Sequence, residues 1–200
     1  MRLRVLGCLL LVLLPTTAWA EWQLKPFIGA TWGGGTTFVL TGDEAGKRKL
    51  ALGASGTWLG TFIGVEGDVA RVSGFFEDPL LLIRSSSVMT MTGNIVLTLP
   101  RKYTEYGLRP YLVGGGGVVR VAIDQGQVGS DILDVQRTLG VWDFGGGATG
   151  FLTDRVGVNW DVRYFRSVGG KEDTGLTIGK EQISFWRGTM GIAVRLGGVK

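Results

Sequence analysis

The chain has 200 residues, room for one domain, with 35 glycines, no histidine and a formal net charge of +4. Two of those charges, Arg2 and Arg4, sit in an N-terminal leader. Removing them leaves +2, too weak and too scattered for a nucleic-acid binder. Glycine and proline, 35 and 5 residues, stay below the roughly 25–30% of disordered chains, and 44% hydrophobic content argues for a folded object.

Residues 1–20 have the layout of a secretory signal peptide. Arg2 and Arg4 give the positive start, Leu9 to Leu14 the apolar core, and Ala18-Trp19-Ala20 a small-x-small cleavage site. Cleavage between Ala20 and Glu21 leaves residues 21–200 as the mature domain. The apolar core is far shorter than the ~20 residues of a spanning helix. Cys8 follows Val5-Leu6-Gly7, a run resembling a lipoprotein box, but it precedes the apolar core that such a box should follow. With the leader gone no cysteine remains, so no disulfide forms. Past residue 20 no run of ~18 apolar residues occurs, which excludes a helical span. A secreted chain of this kind is a soluble β protein or a transmembrane β-barrel.

Eight strands are predicted in chain order. The first, 22–32, puts Leu24, Ile28 and Trp32 opposite Lys25, Gly29 and Thr31, with Pro26 expected near a strand end because it donates no ladder hydrogen bond. A glycine-rich, charged loop follows through Arg48. Strand two, 49–58, sets Leu50, Leu52, Ala54 and Trp58 against Ala51, Ser55 and Thr57. After a tight turn at 59–61, strand three, 62–73, sets Ile63, Val65 and Val69 against Gly64, Glu66 and Asp68, with Arg71 on the apolar side near the strand's end. A loop at 74–86 precedes strand four, 87–99, with Met89, Met91, Ile95 and Leu97 opposite Thr90, Thr92, Asn94 and Thr98. Strand five, 108–121, is read with Tyr111, Val113, Val119 and Val121 on the apolar face and Gly114, Gly116 and Arg120 on the polar one.

A third loop is expected at 122–140. Residues 142–164 then form a long hairpin about the turn Leu152-Thr153-Asp154-Arg155. Trp142, Phe144, Val156, Val158, Trp160, Val162 and Tyr164 share its apolar face; Asp143, Thr149, Asn159, Asp161 and Arg163 share the other. A fourth loop, 166–181, leads to strand eight, 182–196, with Trp186, Met190, Ile192, Val194 and Leu196 opposite Arg187, Thr189 and Arg195. An even number of strands, with short turns at one end and long loops at the other, is the pattern of an all-β, antiparallel, up-and-down transmembrane barrel.

Alternation does not say which face is outside. Six tryptophans, at 22, 32, 58, 142, 160 and 186, fall on the apolar face, and all but Trp160 lie near strand ends, where aromatic girdles sit. Trp22, Trp32, Trp58, Tyr111, Trp142, Tyr164 and Trp186 are therefore expected at the lipid interface. The opposite face is glycine, threonine, serine and asparagine, which suits the narrow interior of an eight-stranded barrel better than a surface in water.

Arg109-Pro110-Tyr111-Leu112-Val113-Gly114-Gly115-Gly116-Gly117 resembles the R-P-Y-x-x-G-x-G element of the opacity/porin-like outer-membrane β-barrel family. Phe144 to Phe165 is similar to that family's glycine-rich hairpin ending in Asp-Arg, and Thr189 to Leu196 resembles the C-terminal assembly signal, without its final aromatic. The resemblance implies an eight-stranded barrel like that of outer-membrane protein A, in a Gram-negative outer membrane. It also implies insertion by the barrel-assembly machinery. The family's larger relatives add a peptidoglycan-binding domain, whereas this sequence ends with the barrel.

Chemistry is sparse. Without histidine the usual general base and metal ligand are missing, so the outer-membrane acyltransferases, deacylases, phospholipases and proteases known by a catalytic histidine are not matched. No catalytic residue, metal or cofactor is expected. Gly114–Gly117 lacks the Lys-Ser/Thr of a phosphate loop. The candidates are lumen charges: Asp143, Arg163 and Arg187, expected at one level, joined by Glu66, Asp68, Asp161 and Arg120. Unpaired charges there would cost several kcal/mol. They form either a plug of ion pairs or a gate to a small ion pathway. Expected partners are outer-membrane lipid, the assembly machinery, and an extracellular ligand through the loops, the barrel itself being a monomer. The role is structural or at the surface, in envelope integrity or adhesion. A narrow channel or a conduit for small apolar molecules is the alternative.

Overall fold

The computed structural model describes residues 21–36, 48–73, 83–99, 107–125, 134–168 and 183–196. The expected signal peptide, its cleavage site at Ala20 and most residues of the long loops lie outside them. Eight strands, β1 (Glu21–Thr36), β2 (Lys49–Leu59), β3 (Ile63–Ser73), β4 (Ile83–Thr98), β5 (Leu108–Gln125), β6 (Asp134–Phe151), β7 (Val156–Ser167) and β8 (Ile183–Leu196), close into one antiparallel barrel in sequence order. Closure removes sheet edges, so every strand finds two partners.

The register fixes the shape. Starting at Trp22, the ladder passes Trp58, Val65, Ile95, Gly114, Phe144, Tyr164 and Trp186 and returns to β1 at Trp32, ten residues higher. With eight strands and ordinary spacings, that climb tilts the strands about 40° from the barrel axis. Trp22 and Trp32 then stand about 26 Å apart along the axis, close to the ~25 Å apolar band of outer-membrane barrels.

Local chemistry explains the interruptions. Pro26 lies inside β1 rather than near its end. It pairs with Ala54 of β2, while the pairing with β8 skips from Leu24 to Phe27, as expected where the N–H is missing. A register shift between Trp32 and Gly35 coincides with Gly33 at φ 62°, a conformation glycine takes without strain. In the β6–β7 turn the Thr153 hydroxyl accepts the backbone N–H groups of Arg155 (3.3 Å) and Val156 (3.0 Å).

Strands also run further than the pattern suggests. β4 begins at Ile83, β5 reaches Gln125 and β6 begins at Asp134, so much of the loop expected at 122–140 is sheet.

All six tryptophans among the described residues face outward, Trp22 most exposed at 56% and Trp32 least at 36%. The outer wall between them is apolar, mostly aliphatic with Phe144 and Tyr164 among it. The inner face is not uniformly polar. Towards the end where β1 finishes, Ala51, Val72, Val88, Val119, Val121, Leu139, Val141, Phe165, Ile183 and Phe185 form a buried apolar cluster. Phe165 and Phe185 stack face to face there, centroids 5.0 Å apart.

β5 is turned over relative to the sequence reading. Tyr111, Val113, Val119 and Val121 point inward, and Leu112, Val118 and Arg120 point out. Tyr111 is therefore a lumen residue, not an interface aromatic, and Arg120 is an outer-wall residue, not a lumen charge. Opposite Phe144 and Trp142 on β6 stand Gly114 and Gly116, which leave space for those rings on the outer face. Val119 and Val121 fit inside because the upper lumen is apolar, and Val113 packs lower down with Leu59, Val96 and Tyr111.

Candidate functional site

The buried charges lie below the apolar cluster, each supplied by the inward side of its strand. Glu66 of β3 is the hub. Its Oε2 accepts Lys25 Nζ (3.3 Å) and the Thr57 hydroxyl (3.2 Å), and Oε1 meets Arg163 Nη1 at 2.7 Å. Arg163 also grips its strand neighbour Asp161 through Nε (2.6 Å) and Nη2 (3.0 Å), and comes within 3.8 Å of Asp143. The Asn94 amide, oriented by its partners, donates to Asp143 Oδ1 (2.9 Å) and accepts from Arg163 Nη1 (3.0 Å).

Arg187 stands directly across the ladder from Arg163 but belongs to a separate pair. Two of its nitrogens hold the Asp68 carboxylate at 2.9 and 3.0 Å, a bidentate arrangement. Its guanidinium also lies over Phe27 and Phe165, 5.0 and 4.7 Å from the ring centroids. Separate carboxylates thus let two like charges sit side by side.

Of the predicted lumen residues, Glu66, Asp143, Asp161 and Arg163 are brought into one network, and Asp68 and Arg187 into the neighbouring pair. Lys25, which is not among the predicted site residues, and Tyr111, which was expected at the lipid interface, complete the network. Lys25 Nζ lies 5.0 Å from the Tyr111 ring centroid, and the Tyr111 hydroxyl donates to Asp161 Oδ2 (2.8 Å) while accepting from Asn159 Nδ2 (3.0 Å). The signal for Lys25 was already present as a lysine on the inward side of β1.

Nearer the short turns, Glu21 bridges Arg195 (2.6 Å) and Arg109 (3.4 Å), and Arg195 also donates to the Asp154 carbonyl. Among the described residues the two charged layers hold five carboxylates, counting Glu21, and five cations. Between the two charged layers the space beside Gln23, Lys25, Tyr111 and Thr149 is only about 10 Å³, at the lower limit for one water. Among the described residues no cluster of acidic, histidine or cysteine side chains is fit to hold a metal.

Several glycines are required by this packing, Gly147 among them. A Cβ on Gly147 would run into the Trp160 carbonyl and lie 2.8 Å from the Tyr111 hydroxyl. Gly147→Ala is expected to cost about 1–3 kcal/mol in urea unfolding from lipid vesicles. Gly93→Ala, where an added Cβ meets nothing within 4 Å, should leave the midpoint within about 0.5 kcal/mol of the parent.

The architecture is that of the eight-stranded outer-membrane barrels. No protein-family model matches the chain, and no curated protein sequence matches it; the similarity is to solved structures. Neisserial surface protein A aligns with TM-score 0.65 and 14% identity over 88% of this chain and 99% of that one. The Pseudomonas aeruginosa outer-membrane protein OprG aligns at 0.55, with 15% identity over 90% and 98% of the two chains. The Yersinia pestis attachment invasion locus protein Ail, solved with the heparin analogue sucrose octasulfate, aligns at 0.50, with 12% identity over 87% and 97%. Identities this low carry the fold and nothing finer.

Proposed function

We propose that the chain is an integral outer-membrane protein, exported with a cleaved signal peptide and folded by the barrel-assembly machinery. In this reading it is not an enzyme. It works as a structural or surface-interaction element, in envelope integrity or adhesion, with its lumen closed by ion pairs. One observation carries the membrane reading: among the described residues the outward wall between the tryptophan belts is apolar and uncharged, while ten charged groups are turned inward. A protein in water would have the reverse arrangement. The surface role is an analogy from fold alone, in which barrels of this architecture include a Neisserial surface protein and an attachment invasion locus protein.

The alternative is a narrow conduit for ions or small apolar molecules. Balanced interior charge favours the plug, since a selective ion path is lined by one sign. Fractionation with heat-modifiable gel mobility tests the location; recovery in the soluble periplasm overturns it. Arg187→Ala separates plug from gate. The plug predicts unchanged bilayer conductance with loss of heat stability. A rise in conductance at unchanged stability would favour the gate.

A further inference from the structure

Where the two charged layers of the lumen meet, Gln23 keeps an acceptor that no described group reaches. Gln23 is 2% exposed, and its Oε1 is buried without a hydrogen-bond partner. Turning the amide round does not repair this. Nε2 donates to Glu21 Oε1 at 2.6 Å, and a flip would set two acceptors against each other. A buried carbonyl oxygen of this kind forfeits its hydration unless something donates to it.

Donors stand close by. Gln23, Lys25, Arg109, Tyr111 and Thr149 line one space of about 10 Å³. An ammonium carries three N–H donors. Glu66 takes one from Lys25 at 3.3 Å, and the ammonium otherwise faces the Tyr111 ring. The Thr149 hydroxyl accepts from Asn159 Nδ2 at 3.0 Å, which leaves its own proton to give. Gln23 and Lys25 are successive inward residues of β1, and Thr149 of β6 is inward too. The space is thus bounded by an open acceptor and by donors with hydrogens to spare.

We propose that this space is a binding site for a single water molecule, which donates to Gln23 Oε1 and accepts from Lys25 Nζ, with the Thr149 hydroxyl as a further donor. The volume is at the lower limit for one water and admits nothing larger. Chemistry sorts the small candidates. A metal cation would meet the Gln23 carbonyl but stand against Lys25 and Arg109. A halide would suit the cations, but it is wider than a water and leaves the carbonyl without a donor. Water both gives and takes hydrogen bonds. The site deepens the closed-lumen reading and rests on it. The apolar cluster above and the Glu21 layer below hold the water in place, so it belongs to the plug and not to a file of waters crossing the barrel.

The test is a crystal structure of the mature barrel at a resolution that orders water, grown once with chloride and once with bromide, beside that of Gln23→Met. The parent should show one water within hydrogen-bond reach of both Gln23 Oε1 and Lys25 Nζ. Gln23→Met keeps the length of the side chain and removes the acceptor, so the variant should lose that water while keeping the Lys25–Glu66 pair. Water left in place in the variant, no water in the parent, or anomalous bromide signal at the site each overturns the assignment. If the variant does not refold, the two parent crystals still decide it. Bilayer conductance of the parent separates the site from the reading beneath it. A sealed barrel without the water overturns the site alone. An ordered water in a barrel that conducts ions overturns the closed lumen and keeps the site.

Discussion

Replacing Glu66 with alanine should destabilise the barrel by about 3–5 kcal/mol, the ordinary cost of stripping one partner from a buried ion pair. The reason lies in what remains. Lys25 and Arg163 would be left facing a gap, with Lys25 deprived of the carboxylate 3.3 Å away and Arg163 of the one at 2.7 Å. Arg163 keeps Asp161, but Lys25 keeps only the face of Tyr111, since Glu66 is the carboxylate its ammonium touches in the network described above. The Coulomb field inside a narrow protein wall is strong, and the space beside Lys25 is only at the lower limit for one water. The comparison that isolates this effect is Lys25→Met combined with Glu66→Gln. It removes the cation along with the anion, so it should lose distinctly less than Glu66→Ala alone. Urea unfolding from vesicles reads both. If the single substitution costs under about 1 kcal/mol, the network contributes little to stability and the plug loses its main support.

Seven strands could be read from alternation because each has one aliphatic side and one side of small polar residues. β5 could not. Four successive glycines, Gly114–Gly117, hide the phase of its alternation, and valines occur on both of its sides. Counting apolar residues then chose the face with Tyr111 and Val113. What decides the matter lies outside the strand: Asp161 and Asn159 of β7 need the Tyr111 hydroxyl, and Phe144 and Trp142 need the space over Gly114 and Gly116. A second misreading followed from treating the interior as polar throughout. An eight-stranded interior must be filled, and it can be filled by oil, as Phe165 and Phe185 show. Those two residues already stood on the polar sides of their strands.

The charged groups were recognisable one by one, but their pairing was not. Arg187 on β8 reaches Asp68 on β3, Lys25 on β1 reaches Glu66 on β3, and Tyr111 on β5 reaches Asp161 on β7. None of these is a contact between neighbouring strands. Each depends on the strand count, the ten-residue climb and the resulting diameter, which no local pattern contains.

Met190→Arg is expected to cost about 2–4 kcal/mol when the barrel is in a bilayer, the penalty for arginine near the midplane on a lipid-facing wall. Met190 is 55% exposed and pairs with Ile28 and Trp160, near the middle of the band between Trp22 and Trp32. A guanidinium there has no carboxylate beside it and a long way to snorkel to either surface. The same residue change at Leu152, 78% exposed in the β6–β7 turn, should shift stability by no more than about 0.5 kcal/mol. Solvent decides the sign of the contrast. On a soluble barrel an arginine at a half-exposed surface position is almost free, and exchanging a methionine in water for it would raise solubility. Equal unfolding midpoints for the two variants in vesicles would therefore mean that the aliphatic wall does not meet acyl chains. A large gap in vesicles that closes for the same proteins in a water-rich, polar detergent shell would tie the cost to the hydrocarbon itself, because the internal ion pairs are identical in both.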